Sequence, residues 1–234
     1  MWARLRRFSR GRAPHLLALT LFAAPVTAAE RVSTELVLAV DVSLSVNDIE
    51  FALQMQGIAA AFRDPEVIAL IEGHEHGVAI VMTQWSGSRH AEVPLPWRRL
   101  SDRASVIAYA DAVGQMPRAQ FGNLTGLGNA ISFASELLAD NEFEGEERKI
   151  DVSGDGRSNS GPEPGEARLA AMAENITING LAIAADDPAL PAYYAENVIG
   201  GPGAFVMVAK DFNAFGEAFR RKLKRELSPR LALK

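Results

Sequence analysis

Asp41, Ser43 and Ser45 stand at alternate positions in the run Asp41-Val42-Ser43-Leu44-Ser45. If that run stays extended, side chains two apart face the same way, so one carboxylate and two hydroxyls are presented together. Two later stretches carry the same chemistry. Gly122-Asn123-Leu124-Thr125-Gly126-Leu127-Gly128-Asn129-Ala130 contributes the hydroxyl of Thr125, and Ser153-Gly154-Asp155-Gly156-Arg157-Ser158-Asn159 contributes the carboxylate of Asp155. All five side chains are hard oxygen donors. A small divalent cation, Mg²⁺ first and Mn²⁺ or Ca²⁺ as substitutes, takes about six oxygens and keeps several waters. With two carboxylates the set is under-ligated, which leaves room for an acidic group from outside.

These residues need a frame. Thr34 to Val40 is a short apolar run, as expected of a strand buried on both faces. Asn47 with Glu50 three residues later reads as a capping box. The helix it opens carries Ile49, Leu53, Gln56, Ala60 and Phe62 and stops at Asp64-Pro65. Val78 to Met82 is a second apolar strand. His90 to Pro96 contains two prolines, which remove ladder donors and place it at a sheet edge. Helices are predicted over 101–116, 125–139, 166–175 and 189–197, with strands over 149–153, 176–184 and 204–209. An amphipathic helix over 212–227 ends in basic residues, and Arg220-Arg221-Lys222 suits its dipole without a ligand.

Strands alternating with helices predict a three-layer α/β domain, its central sheet mainly parallel, with one antiparallel edge strand and helices on both faces. In such sheets ligands bind beyond the carboxyl ends of the strands. Asp41 and Asp155 follow the ends of two strands, and Thr125 opens a helix. The three clusters therefore belong at one end of the sheet.

The Asp-x-Ser-x-Ser run, the threonine opening a Thr-x-x-Gly-x-Ala helix, and an aspartate in an Asp-Gly turn resemble the metal-ion-dependent adhesion site of the von Willebrand factor A-like superfamily. Within that superfamily the chain is most similar to a bacterial branch, domain of unknown function 1194. The resemblance covers residues 33–227, between a leader at 1–28 and a tail at 228–234. It implies a Rossmann-type sheet. It also implies that Ser43, Ser45 and Thr125 bind the metal directly or nearly so, with Asp41 and Asp155 acting largely through water. The implied partner is a protein or peptide offering a carboxylate to the cation. Two departures stand out: Ser153-Gly154-Asp155-Gly156 replaces the usual Thr-Asp-Gly, and Asp151 lies within the strand. A polar residue in a central strand must find a partner or face a solvated side.

Other functions fit less well. A degenerate, metal-free scaffold of the same fold is one alternative, with Asp41 merely capping a helix or bracing a loop. A metal-dependent hydrolase is a second. An aspartate nucleophile after the first strand would be accompanied by another acid two residues on, where this chain has Ser43. No Gly-x-Ser-x-Gly elbow is present either. His74-Glu75-His76 precedes a strand and so belongs at the far end of the sheet, as a solvated loop. Trp85 and Trp97 read as core residues, Asp186-Asp187-Pro188 as turn formers, and Arg157, Ser158 and Asn159 as a possible rim.

Composition sets the outer bounds. Apolar residues make up 48% of the 234 and charged residues 23%, enough for one domain with a real core. Cysteine is absent, which excludes disulfides and thiolate chemistry and suits an oxidising compartment. Arg4, Arg6, Arg7, Arg10 and Arg12 precede a short apolar run from Leu16 to Val26 and small residues through Ala28-Ala29, the pattern of a secretory signal peptide. The apolar run is about half of the roughly 20 residues a membrane anchor needs. An exported chain, periplasmic or secreted, is expected. Removing residues 1–28 leaves 19 basic against 29 acidic side chains, a net charge of −10. Such a surface repels phosphate backbones, so nucleic acid is excluded as a partner, and no later apolar run predicts a membrane span.

Overall fold

A computed structural model describes residues 28–119 and 122–228. Almost all of the expected leader and tail, residues 1–27 and 229–234, lies outside the described residues.

Strand β1 (Glu30–Asp41) is followed by helices α1 (Asp48–Phe62) and α2 (Pro65–Glu72). Strands β2 (Val78–Trp85) and β3 (Ala91–Leu100) then precede α3 (Arg103–Gly114) and α4 (Leu127–Ala139). The second half alternates: β4 (Phe143–Gly154), α5 (Pro164–Ala173), β5 (Ile176–Ile183), α6 (Leu190–Asn197), β6 (Val206–Ala209) and α7 (Phe215–Leu227). The six strands form one sheet in the order β3-β2-β1-β4-β5-β6, parallel except for β3, which runs antiparallel at the edge. Prolines Pro94 and Pro96 sit in that edge strand, where ladder donors are dispensable.

Strand alternation divides the core. Leu36, Leu38 and Val40 of β1 face a cluster built with α1, α2, α3 and α7, while Val37 and Ala39 face one built with α4 and α6. Because both faces are covered, β1 reads as a continuous apolar run rather than an alternating one. Chain order reverses around β1: the chain first builds outward through β2 and β3, then returns to lay β4 on the other flank. The crevice between the carboxyl ends of β1 and β4 is therefore the sheet's switch point.

Several local expectations change. The helix after β1 does end before Pro65, but the proline opens α2 instead of merely stopping α1, with Asp64 as its cap. Proline at a first helical position loses no hydrogen bond, because that donor has no intrahelical partner anyway. Ile49 is 75% exposed, and α1 buries Phe51, Met55, Ile58 and Phe62 instead. Strand β4 begins at Phe143 rather than Lys149; its polar first half pairs with the start of β1 from Glu30 onward. Lys222, expected only to suit the dipole at the end of α7, has a further role. It is fully buried beneath the sheet.

Candidate metal centre

Asp41 is the last residue of β1, paired in register with Trp85, and its carboxylate is fully buried. The chain then turns sharply: the Ser43 amide donates to Asp41 Oδ1 at 2.8 Å, and the Val46 amide to the Ser43 carbonyl at 3.0 Å. Asn47 closes the turn by capping α1, its side chain accepting from the Ile49 and Glu50 amides while Glu50 reaches back to the Asn47 amide. This is the capping box expected from sequence. Arg118 braces the loop from outside, donating to the carbonyls of Val42 and Ser43 and pairing with Asp48 at 2.9 Å.

The three hydroxyl and carboxylate stretches meet here. Ser43 Oγ and Ser45 Oγ are 3.1 Å apart, and Ser45 Oγ donates to Asp155 Oδ1 at 2.8 Å. A continuous chain of hydrogen bonds thus runs from Asp41 through Ser43 and Ser45 to Asp155, the first residue beyond β4. Thr125 is anchored from that same turn. Its amide donates to Asn159 Oδ1 at 2.9 Å, and its carbonyl accepts from the Asn159 amide at 2.9 Å. Its hydroxyl lies against Gly156, 3.5 Å from where a Cβ there would stand.

Electrostatics separate the two acids from ordinary surface carboxylates. Burial, reinforced by the Asp155 carboxylate nearby, pushes Asp41 up to about 7 despite the hydrogen bonds from Ser43. Asp155 is also raised, by burial first and then by Glu50 and Asp186, against the bond from Ser45. Two such acids resist ionising together, and a cation between them reverses that preference. One observation tests the fit directly: Asp41 Oδ2 is buried without a hydrogen-bond partner. A buried polar atom left unpaired is costly, and the oxygen set around it suits a hard cation. Among the described residues no cluster of three His, Asp or Glu side chains competes as a metal site.

The departure from the usual Thr-Asp-Gly turn has a steric consequence. A Cβ on Gly154 would stand 2.9 Å from Asp41 Oδ2 and 2.8 Å from the Tyr194 hydroxyl, so a side chain there would displace one or both of them. Asp151 finds the partner its position demands, Lys222 Nζ at 2.6 Å.

The remaining candidates fall elsewhere. His74 Nε2 lies 3.0 Å from the Leu227 carbonyl, at the opposite end of the sheet. Trp85 is fully buried, and Trp97 packs its ring 6.1 Å from that of Phe143. Asp187 pairs with Arg157 at 2.7 Å, and the Arg157 guanidinium stands 5.3 Å from the centre of the Tyr193 ring. Sequence reading missed Arg118 and Tyr194, whose partners are remote in the chain. Asn159 was within the stretch singled out as a rim, but its grip on Thr125 had no local signal.

The mainly parallel six-stranded sheet, covered on both faces and with an oxygen-rich crevice at its switch point, has the fold of von Willebrand factor A-like domains. Solved structures share that fold. Proximal thread matrix protein 1 from the mussel byssus, described with a zinc-occupied MIDAS motif, is 14% identical, with a TM-score of 0.58 over 86% of this chain and 49% of that one. A von Willebrand factor type A protein from Catenulispora acidiphila is 18% identical, with a TM-score of 0.59 over 83% and 43%. The von Willebrand domain of the type V pili tip protein Mfa5 from Porphyromonas gingivalis is 10% identical, with a TM-score of 0.59 over 86% and 98%. The chain spans about half the length of the mussel protein it matches. No curated protein matches it. The chain belongs to the family described as "Protein of unknown function (DUF1194)", whose model matches residues 31–231.

Proposed function

We propose that this chain is an exported binding module that holds a divalent cation, Mg²⁺ first and Mn²⁺ or Ca²⁺ as substitutes, through Asp41, Ser43, Ser45, Thr125 and Asp155. The cation offers an open coordination position to a carboxylate on a partner protein or peptide. The observation that carries this reading is the hydrogen-bonded run from Asp41 through Ser43 and Ser45 to Asp155. Each side chain has a stated part. The hydroxyls of Ser43, Ser45 and Thr125 act as neutral donors near the ion, and the two carboxylates supply charge. The ion itself supplies a Lewis-acidic position for an outside oxygen.

Three features favour binding over catalysis. The mussel relative is described with a metal in this motif, and another relative is a pilus tip protein. The histidines His74 and His76 lie at the far end of the sheet, and His90, which lies at the site's end against Gly122, stands in no motif that marks a base. Exposed apolar side chains flank the loops, with Leu44 64%, Ile49 75% and Leu124 49% exposed, as a protein-binding rim requires. Export rests on the sequence pattern at 1–28. Among the described residues no helix is long and apolar enough to cross a membrane.

Titrating the chelated protein with Mg²⁺ and Mn²⁺ tests the reading. At a hundredfold excess over the dissociation constant, bound metal stabilises by about 2.7 kcal/mol, a rise in Tm of roughly 5–10 °C for a domain of this size. Asp41→Ala abolishes that rise. A wild-type protein indifferent to metal would identify a metal-free scaffold instead. Phosphoester or peptide turnover that disappears in Ser43→Ala would identify a hydrolase. A pull-down from the exported fraction, with metal and then chelator, identifies the partner.

A further inference from the structure

Tyr194, in α6, is fully buried, yet its hydroxyl has no hydrogen-bond partner. Buried tyrosines ordinarily find one, because an unpaired phenol oxygen in an apolar setting is costly. Asp41 Oδ2 is in the same condition, and the two unpaired atoms converge. A Cβ on Gly154 would lie 2.8 Å from the Tyr194 hydroxyl and 2.9 Å from Asp41 Oδ2. Both atoms therefore aim at one point beside the end of β4.

The sheet is cut to admit this ring. A Cβ on Gly180 would stand 2.7 Å from Tyr194 Cδ1. Gly180 pairs with Val152 and Ala182 with Gly154, so the two glycines share one face of neighbouring strands, two residues apart along the sheet. Glycine inside a strand weakens it unless another group must approach closely. Here the group is the tyrosine, laid along a slot from Gly180 to Gly154 with its hydroxyl at the end nearest Asp41.

We infer that Tyr194 is a positioning residue of the candidate metal centre, its hydroxyl linked to Asp41 Oδ2 through one bridging water. The Ser43 amide already holds Oδ1 at 2.8 Å, so a donor on Oδ2 fixes the carboxylate in rotation as well as in place. Groups that orient a metal-binding carboxylate tune affinity without touching the ion. The role rests on the cation reading above; the Tyr194–Asp41 link does not.

Tyr194→Phe removes one oxygen and keeps the ring in its slot. In chelator, the melting temperatures of wild type, Tyr194→Phe, Asp41→Ala and the double variant form a cycle. A link between the two makes the double variant lose less than the sum of the single losses; additive shifts overturn the link. With Mn²⁺ as the probe, calorimetry should give Tyr194→Phe an affinity about tenfold weaker than wild type. Equal affinities overturn the positioning role, even if the Asp41 variant fails to fold. Wild-type protein that binds no Mn²⁺ overturns the cation reading and the role with it, while the chelator cycle still decides the link.

Discussion

Lys222 Nζ stands 2.6 Å from Asp151 Oδ1 at the centre of the sheet and 2.6 Å from Glu226 Oε1 one turn further along α7. Asn179 completes the group, donating to Glu226 Oε1 at 2.8 Å and accepting from the Phe205 amide at 3.2 Å. Two buried acids flank one buried base. Removing the base leaves both carboxylates without compensation, so Lys222→Met should cost about 3–5 kcal/mol. Replacing Asp151 by leucine in the same protein removes one stranded charge, and denaturant unfolding should show the double variant losing less than Lys222→Met alone.

Gly154→Ala places a methyl within 3 Å of both Asp41 Oδ2 and the Tyr194 hydroxyl. Forced repacking of this kind costs about 1–3 kcal/mol. Thermal melting in chelator checks that loss, and the stabilisation by Mg²⁺ should shrink with it because Asp41 is displaced. Adding Tyr194→Phe removes the nearer of the two oxygens and should recover part of the lost stability.

Asn159 holds Thr125 by both its amide and its carbonyl. Asn159→Ala strands the Thr125 N–H, which costs about 1–3 kcal/mol where water cannot replace the lost acceptor. For a domain of this size each kcal/mol lowers Tm by roughly 2–4 °C. The affinity for Mn²⁺ should fall as well, because the threonine hydroxyl loses its fixed place over Gly156.

Asp64 caps α2, accepting from the Glu66 and Val67 amides, and pairs with Arg220 at 3.0 Å. Partial burial acts to raise its carboxyl, but the Arg220 bond, the two amides and Lys224 outweigh it and hold it below the usual 3.8. A folded value below the unfolded one means the carboxylate's stabilisation is complete above about pH 4 and is lost as pH falls through the lower folded value. Asp64→Ala should therefore cost about 1 kcal/mol at pH 7. The gap between variant and wild type should close progressively below pH 4 in parallel denaturant titrations.

Much of the frame was legible because its causes are local. The capping box at Asn47 lies within four residues, and the edge position of β3 follows from two prolines in one strand. The apolar runs at 34–40 and 78–82 mark buried strands by their content alone. Failures were local too, where one signal served two outcomes. Pro65 both ends a helix and opens one, and the polar start of β4 resembles a loop because its side chains alternate with solvent. Ile49 was on the expected helix but not on its buried side, since only the angle at which α1 meets the sheet decides which residues turn inward.

Residue chemistry and order along the chain were enough to nominate Asp41, Ser43, Ser45, Thr125 and Asp155, because hard oxygen donors at strand and helix ends can be recognised one stretch at a time. The meeting of Ser45 with Asp155 across 110 residues was decided by strand order, which lays β4 against β1 although four helices and two strands intervene. The same folding puts Lys222 beneath Asp151 and the Tyr194 hydroxyl beside Asp41. These contacts depend on which faces of distant elements are buried together, and sequence separation carries no record of that.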